Sequence, residues 1–183
     1  MQISHPHELS FRTPWVDAWR PEFIGTLMFV VDNDQVLLIH KKTGHGAGMV
    51  NGPGGKLMPG ESLLECAVRE TREEVGVTPV AARCCMEMRF VELDGPQWLG
   101  FAFRADQYQG ELVSTVEADP FWCAQDKIPY DNMWPDDAVW LPPLLAAADL
   151  NTGVSNFLFR DGELLAHEFV PEPSIWQDLR LHT

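Results

Sequence analysis

The chain has 183 residues, of which 45% are hydrophobic and 22% charged, ordinary proportions for one globular domain able to bury its own core. Its formal net charge is −14, with a pI near 4.6. Nucleic-acid polymers are held by Lys and Arg that neutralise phosphates, so this balance argues against such a partner but leaves room for a small phosphorylated ligand bridged by cations.

From the N-terminus, "MQISHPHELSFRTPW" has no basic start followed by an apolar core, so no secretion signal is expected. No apolar run approaches the roughly 18 residues of a membrane span. Residues 1–22 read as a polar extension ahead of a domain at 23–183, with Phe11, Trp15 and Trp19 as candidates to pack onto it. "FIGTLMFVV" and "QVLLIHK" around "DND" predict a β-hairpin. The glycine-rich stretch 42–55 predicts a loop.

Ser62 and Glu65 fit a capping box, and Gly76 supplies a stop, which predicts a helix over about 63–75. At helical spacing Leu64, Ala67, Val68, Thr71 and Val75 form one buried stripe. Glu70, Glu73 and Glu74 follow an i, i+3, i+4 pattern beside it, close enough to reach a common point. A solvated charged face, balanced by Arg69 and Arg72, would look the same in isolation. The preceding glycine-rich loop favours a cation site, because carboxylate oxygens suit hard ions such as Mg²⁺ or Mn²⁺.

Further along, "RCCMEMRFVEL" and "QWLGFAFRA" predict a second hairpin, "DPFWCA" a short strand, and "NFLFR" with "ELLAHEFV" a third hairpin. "MWPDDAVWLPPLLAAADL" begins like a helix, with Pro135 at a first helical position and Asp136 and Asp137 where the dipole favours acids. Pro142 and Pro143 are expected to break or kink it. Cys66, Cys84, Cys85 and Cys123 show no C-x-x-C or zinc spacing and read as reduced thiols, which points to the cytoplasm. Strands with two interspersed helices imply an α/β domain.

Gly55, Glu61, Arg69, Glu70, Glu73, Glu74, Gly76 and Val77 together spell G-x5-E-x7-R-E-U-x-E-E-x-G-U, with U apolar. This pattern resembles the Nudix box, with Thr71 in place of an aliphatic residue. The resemblance implies a Nudix fold, an α/β/α sandwich around a mixed β-sheet. It implies Mg²⁺-dependent hydrolysis of a nucleoside diphosphate linked to another group. Gly55, Glu70, Glu73 and Glu74 would hold metal, Arg69 would orient the glutamates, and Glu73 or Glu74 would act as base. "GHGAGMVNGPGGK" and "DKIPYDNMWPDDAVWLPPLL" are similar to the MutT-like members that hydrolyse oxidised purine nucleoside triphosphates. On that likeness Asn51 would contact the purine edge, Trp134 would stack on the base, Asp136 and Asp137 would read it, and Glu117 would assist the metal. His45 stands where such members carry an aromatic ring, and it either meets the base or is a solvated loop residue. Lys41 either leans toward the nucleotide or is a surface lysine. Other Nudix substrates, such as dinucleoside polyphosphates or nucleotide sugars, and a non-catalytic nucleotide-binding role are the rival readings.

Overall fold

The computed structural model describes residues 1–146, 153–171 and 179–181. The first hairpin is β2 (Phe23–Asp32) and β3 (Gln35–Lys41), following a two-residue β1 (Gln2–Ile3). The expected loop at 42–55 contains two short strands, β4 (Val50–Asn51) on β3 and β5 (Gly54–Lys56) on β2. Then come α1 (Leu63–Val75), β6 (Thr78–Val80), the second hairpin β7 (Arg83–Glu92) and β8 (Trp98–Ala105), and β9 (Gln107–Gln109). β10 (Ala118–Ala124), α2 (Asp137–Ala146), the third hairpin β11 (Val154–Arg160) and β12 (Glu163–Val170), and β13 (Arg180–Leu181) complete the chain order.

Among the described residues the main sheet runs β10-β3-β2-β8-β7-β11-β12. It is mixed: β2 with β8 and β7 with β11 are parallel, and the other pairs are antiparallel. The continuous apolar runs of β2 and β3 reflect a sheet buried on both faces. Met28, Val30 and Ile39 pack on one side against Leu63, Cys66, Ala67 and Val75 of α1. Phe29, Val31 and Leu38 pack on the other against Trp140, Leu141, Leu144 and Leu145 of α2. That is the α/β/α sandwich.

Two local differences from expectation are a shifted buried face on α1 and the lack of a break in α2. Leu64 is 43% exposed, and the buried face of α1 is Leu63, Cys66, Ala67, Thr71, Glu74 and Val75. The helix is turned so that Glu74 points inward, where two polar partners receive it. Pro142 and Pro143 do not end α2, which runs through both. Buried Trp140, Leu141, Leu144 and Leu145 anchor the helix on either side of them, and the Arg104 guanidinium donates to the carbonyls of Leu144 (3.2 Å) and Leu145 (2.7 Å) at its C-terminal end. The end of that predicted segment, 147–150, lies outside the described residues.

Residues 1–22 are woven into the same core. Phe11 and Trp19 exchange backbone hydrogen bonds at 2.9 Å and are buried together with Ile3 and Leu9. Trp19 Nε1 donates to Gln97 Oε1 (2.7 Å). Gln97 in turn ties the turn of the second hairpin to Glu22 and Glu92. β1 pairs in parallel with β13.

Candidate active site

The site begins with the N-terminal architecture of α1. Ser62 accepts from the Glu65 amide and Glu65 returns the bond to the Ser62 amide, which fixes the first turn. Gly76, at φ 81°, closes the last turn in a left-handed conformation. Between these caps Arg69 acts as a fork. It donates to Glu61, to Glu70 Oε1 (2.7 Å), to Glu73 Oε2 (3.0 Å) and to the Lys56 carbonyl (3.3 Å). Charge-assisted bonds of this kind lock carboxylates in place.

Glu70 lies directly against Gly55: a Cβ at that position would run into the Glu70 carboxyl. Burial pushes the Glu70 carboxyl above the usual range, and Arg69 opposes that rise. Glu74 is 1% exposed. Its carboxylate accepts from Lys41 Nζ (2.6 Å) and from the Gly54 amide (3.0 Å). Glu73 stays half exposed on the outer side of the helix. The three glutamates therefore do not meet at a common point, and no three His, Cys, Asp or Glu side chains converge as a metal cluster among the described residues. The donor set still suits a hard cation. It is all oxygen, and the missing Gly55 side chain is what lets the Glu70 carboxylate approach this stretch of backbone. Loading it would mean trading Arg69 and Lys41 contacts for the ion.

A cavity of about 560 Å³ opens from this face of α1. It brings together Lys41, His45, Asn51, Gly55, Glu70, Glu74, Glu117, Trp134, Asp136 and Asp137, all singled out in the sequence. Arg69 and Glu73 do not line it. Asn51 Oδ1 accepts from the Gly52 amide (2.8 Å). Lys41 is no loose surface lysine, since its ammonium is held by Glu74.

At the far end Asp136 and Asp137 are 3% and 2% exposed. Asp136 accepts from Trp140 Nε1 (2.8 Å), and Asp137 from the Trp134 amide (3.0 Å). Burial raises both carboxyls well above 3.8, and Asp136 raises Asp137 further. Close carboxyls out of water resist double ionisation, so the pair keeps a proton near neutrality. His45 stays exposed on its loop, yet it is not a free loop residue. Its ring stacks on Trp98 (5.2 Å, 19°) and on Trp134 (5.1 Å, 17°). Burial, then Lys56 and Lys41, lower its pKa and keep it neutral.

Sequence reasoning missed Lys56, Phe90 and Phe159 as cavity residues. Lys56 Nζ sits over Phe23 (3.7 Å) and Trp98 (5.1 Å), a contact with no sequence signature. Phe90 and Phe159 read as ordinary strand aromatics, and their place in the wall comes from the β7–β11 pairing.

Residues 22–144 match the NUDIX domain family. The chain belongs to the Nudix family. It is accordingly a hydrolase of phosphoric anhydride bonds in nucleotides, and Nudix hydrolases generally use divalent metal ions. Over 121 residues it is 40% identical to the oxidized purine nucleoside triphosphate hydrolase of Danio rerio, spanning 66% of this chain and 78% of that one. The Mus musculus protein of the same name is 37% identical over the same shares. In three dimensions the chain is similar to a MutT protein from Bacillus halodurans, with a TM-score of 0.72, 31% identity, and 82% of this chain against 99% of that one. All four cysteines are free thiols, and burial pushes Cys66 and Cys84 up to about 12, so this Nudix domain carries them as packing groups.

Proposed function

We propose that the chain is a Mg²⁺-dependent pyrophosphohydrolase of purine nucleoside triphosphates, oxidised ones such as 8-oxo-dGTP included, that releases a nucleoside monophosphate and pyrophosphate. The observation that carries this reading is one cavity with two chemically different ends. Box carboxylates and Gly55 line one end, and a stacking surface with a protonatable carboxyl pair lines the other.

At the phosphate end, the Gly55 carbonyl, Glu70, Glu74 and Glu117 would hold the ion, Mg²⁺ or alternatively Mn²⁺, and Glu73, which lies outside the cavity, would join them only by turning inward from Arg69. When bound, the ion polarises the phosphoryl oxygens and lowers the pKa of the attacking water. Arg69 holds Glu70 and Glu73 in register. Glu73 or Glu74 receives the proton of the water. A P–O bond to the water oxygen forms as the anhydride bond to the departing pyrophosphate breaks. Lys41, already at the cavity wall, offsets phosphate charge.

At the base end, Trp134 supplies a stacking platform, an interaction worth roughly 1–3 kcal/mol per base. Asn51 meets the purine edge. A singly protonated Asp136–Asp137 pair offers a donor and acceptors together. An 8-oxopurine presents N7–H as a donor where guanine presents an acceptor, and a mobile proton on the pair accommodates either. The relatives that hydrolyse oxidized purine nucleoside triphosphates support this assignment. The corresponding biological role is removal of damaged nucleotides from the cytoplasmic pool before they enter DNA.

Product analysis over 8-oxo-dGTP, 2-oxo-dATP, dGTP, ADP-ribose and a dinucleoside tetraphosphate tests the reading. Monophosphate and pyrophosphate from the oxidised purines, at the highest kcat/KM of the set, are expected. A clear preference for ADP-ribose or the dinucleoside tetraphosphate would refute it.

A further inference from the structure

The proposed platform, Trp134, is already engaged. The His45 ring lies nearly parallel to it and to Trp98, at 5.1 and 5.2 Å between centroids. The two indoles come from separate elements, Trp98 from the start of β8 and Trp134 from the segment before α2. The imidazole stacks on both.

Three more observations concern the same spot. Gly44, Gly46 and Gly48 have φ of 76°, 81° and 90°, so His45 rides a loop flanked by residues in conformations that side chains disfavour. A Cβ on Gly46 would come within 3.3 Å of Trp134 Nε1, so the loop backbone presses on the same indole. Trp98 Nε1 is buried with no hydrogen-bond acceptor, an arrangement that costs free energy until an acceptor arrives. A neutral, flat heteroaromatic ring on two indoles is chemically what a nucleobase would be there.

We propose that His45 is an internal stand-in for the substrate base, covering the Trp98–Trp134 stacking surface before binding and swinging out on its glycine-flanked loop as the base enters. This deepens the nucleotide reading given above and rests on it for the identity of the base. Binding then becomes an exchange of stacks. A fused purine covers more indole surface than an imidazole, whereas a single pyrimidine ring gains little from the exchange. His45 thus imposes one displacement cost on every entering base, which the larger stack of a purine repays more fully.

The test uses binding of product nucleotides to the full chain without metal, with dGMP, AMP and dCMP as probes. His45 ring C–H signals, assigned by their loss in His45→Ala, are expected upfield in the free protein under the ring currents of two indoles. Saturating dGMP is expected to return them to the position of an exposed histidine. His45→Ala is expected to bind dGMP about three- to ten-fold tighter, in line with the worth of one aromatic stack, and to gain by the same factor for any other probe that displaces the ring. His45→Phe, which keeps a ring in place, is expected to show no gain. The inference is overturned if His45→Ala binds purines more weakly, if His45 stays upfield at saturation, or if no probe releases it. Release by dCMP but by neither dGMP nor AMP would keep the stand-in and refute the purine substrate instead.

Discussion

Asp136 and Asp137 show how one residue serves structure and recognition at once. Each is fixed by a hydrogen bond within the α2 N-terminus, to Trp140 and to Trp134, and each also lines the cavity. Their raised pKa values make a stability prediction. A carboxyl whose folded pKa lies above its unfolded value of 3.8 binds more protons when folded, so its contribution is full below 3.8 and falls as pH rises toward neutrality. The thermal midpoint of Asp137→Asn relative to wild type should therefore climb from pH 4 to pH 8, and a flat difference would contradict the burial argument. In the same variant the ratio of kcat/KM for 8-oxo-dGTP to that for dGTP should change. Gly55→Ala makes a second residue-scale case. Its new methyl group collides with Glu70, and displaced catalytic geometry commonly costs on the order of 10²-fold in rate. A measured kcat/KM loss of that size with an unchanged circular dichroism spectrum is expected. Neither close approach could be read from sequence. The box marks Gly55 and Glu70, but only the folded backbone shows that they touch.

At the scale of elements, the caps of α1 were fully legible because Ser62, Glu65 and Gly76 act locally. Its rotation was not. Leu64 and Glu74 exchange the roles that hydrophobicity alone assigns, because Lys41 and the Gly54 amide receive Glu74 from elements distant in sequence. The same holds for α2, where tertiary anchoring overrides two prolines. Replacing an exposed Pro143 with Ala restores a backbone donor and should raise stability by about 1 kcal/mol, the helix gain being partly offset by a freer unfolded chain. A urea titration would measure it, and a loss of stability would show that the proline fits this helix better than alanine. The N-terminal segment invites a stronger prediction. Trp19 is 3% exposed and hydrogen-bonded to Gln97, so Trp19→Ala should cost roughly 3–5 kcal/mol in the same titration. Phe11, Trp15 and Trp19 were legible as candidates to pack, whereas the irregular spacing of the segment hid Ile3 and Leu9.

Over the whole molecule, the hairpins were legible because each joins two apolar runs close in sequence, whereas the sandwich of a sheet between two helical layers was implied by the resemblance of the box, not by the strand pattern. The long-range choices, such as β7 beside β11 in parallel, leave no mark in sequence, and those choices build the aromatic wall of the cavity. A strongly acidic chain concentrates further carboxylates beside an anionic substrate's site, and Arg69 with Lys41 holds that face together. The central claim is that this face performs the phosphorus chemistry on a purine nucleoside triphosphate. Steady-state hydrolysis of 8-oxo-dGTP by wild type and by Glu70→Gln, with and without Mg²⁺, tests it most directly. The account predicts Mg²⁺-dependent release of 8-oxo-dGMP and pyrophosphate, lowered roughly 10²–10⁴-fold in a folded Glu70→Gln protein. Near-full activity in that variant, or turnover indifferent to Mg²⁺, would contradict it.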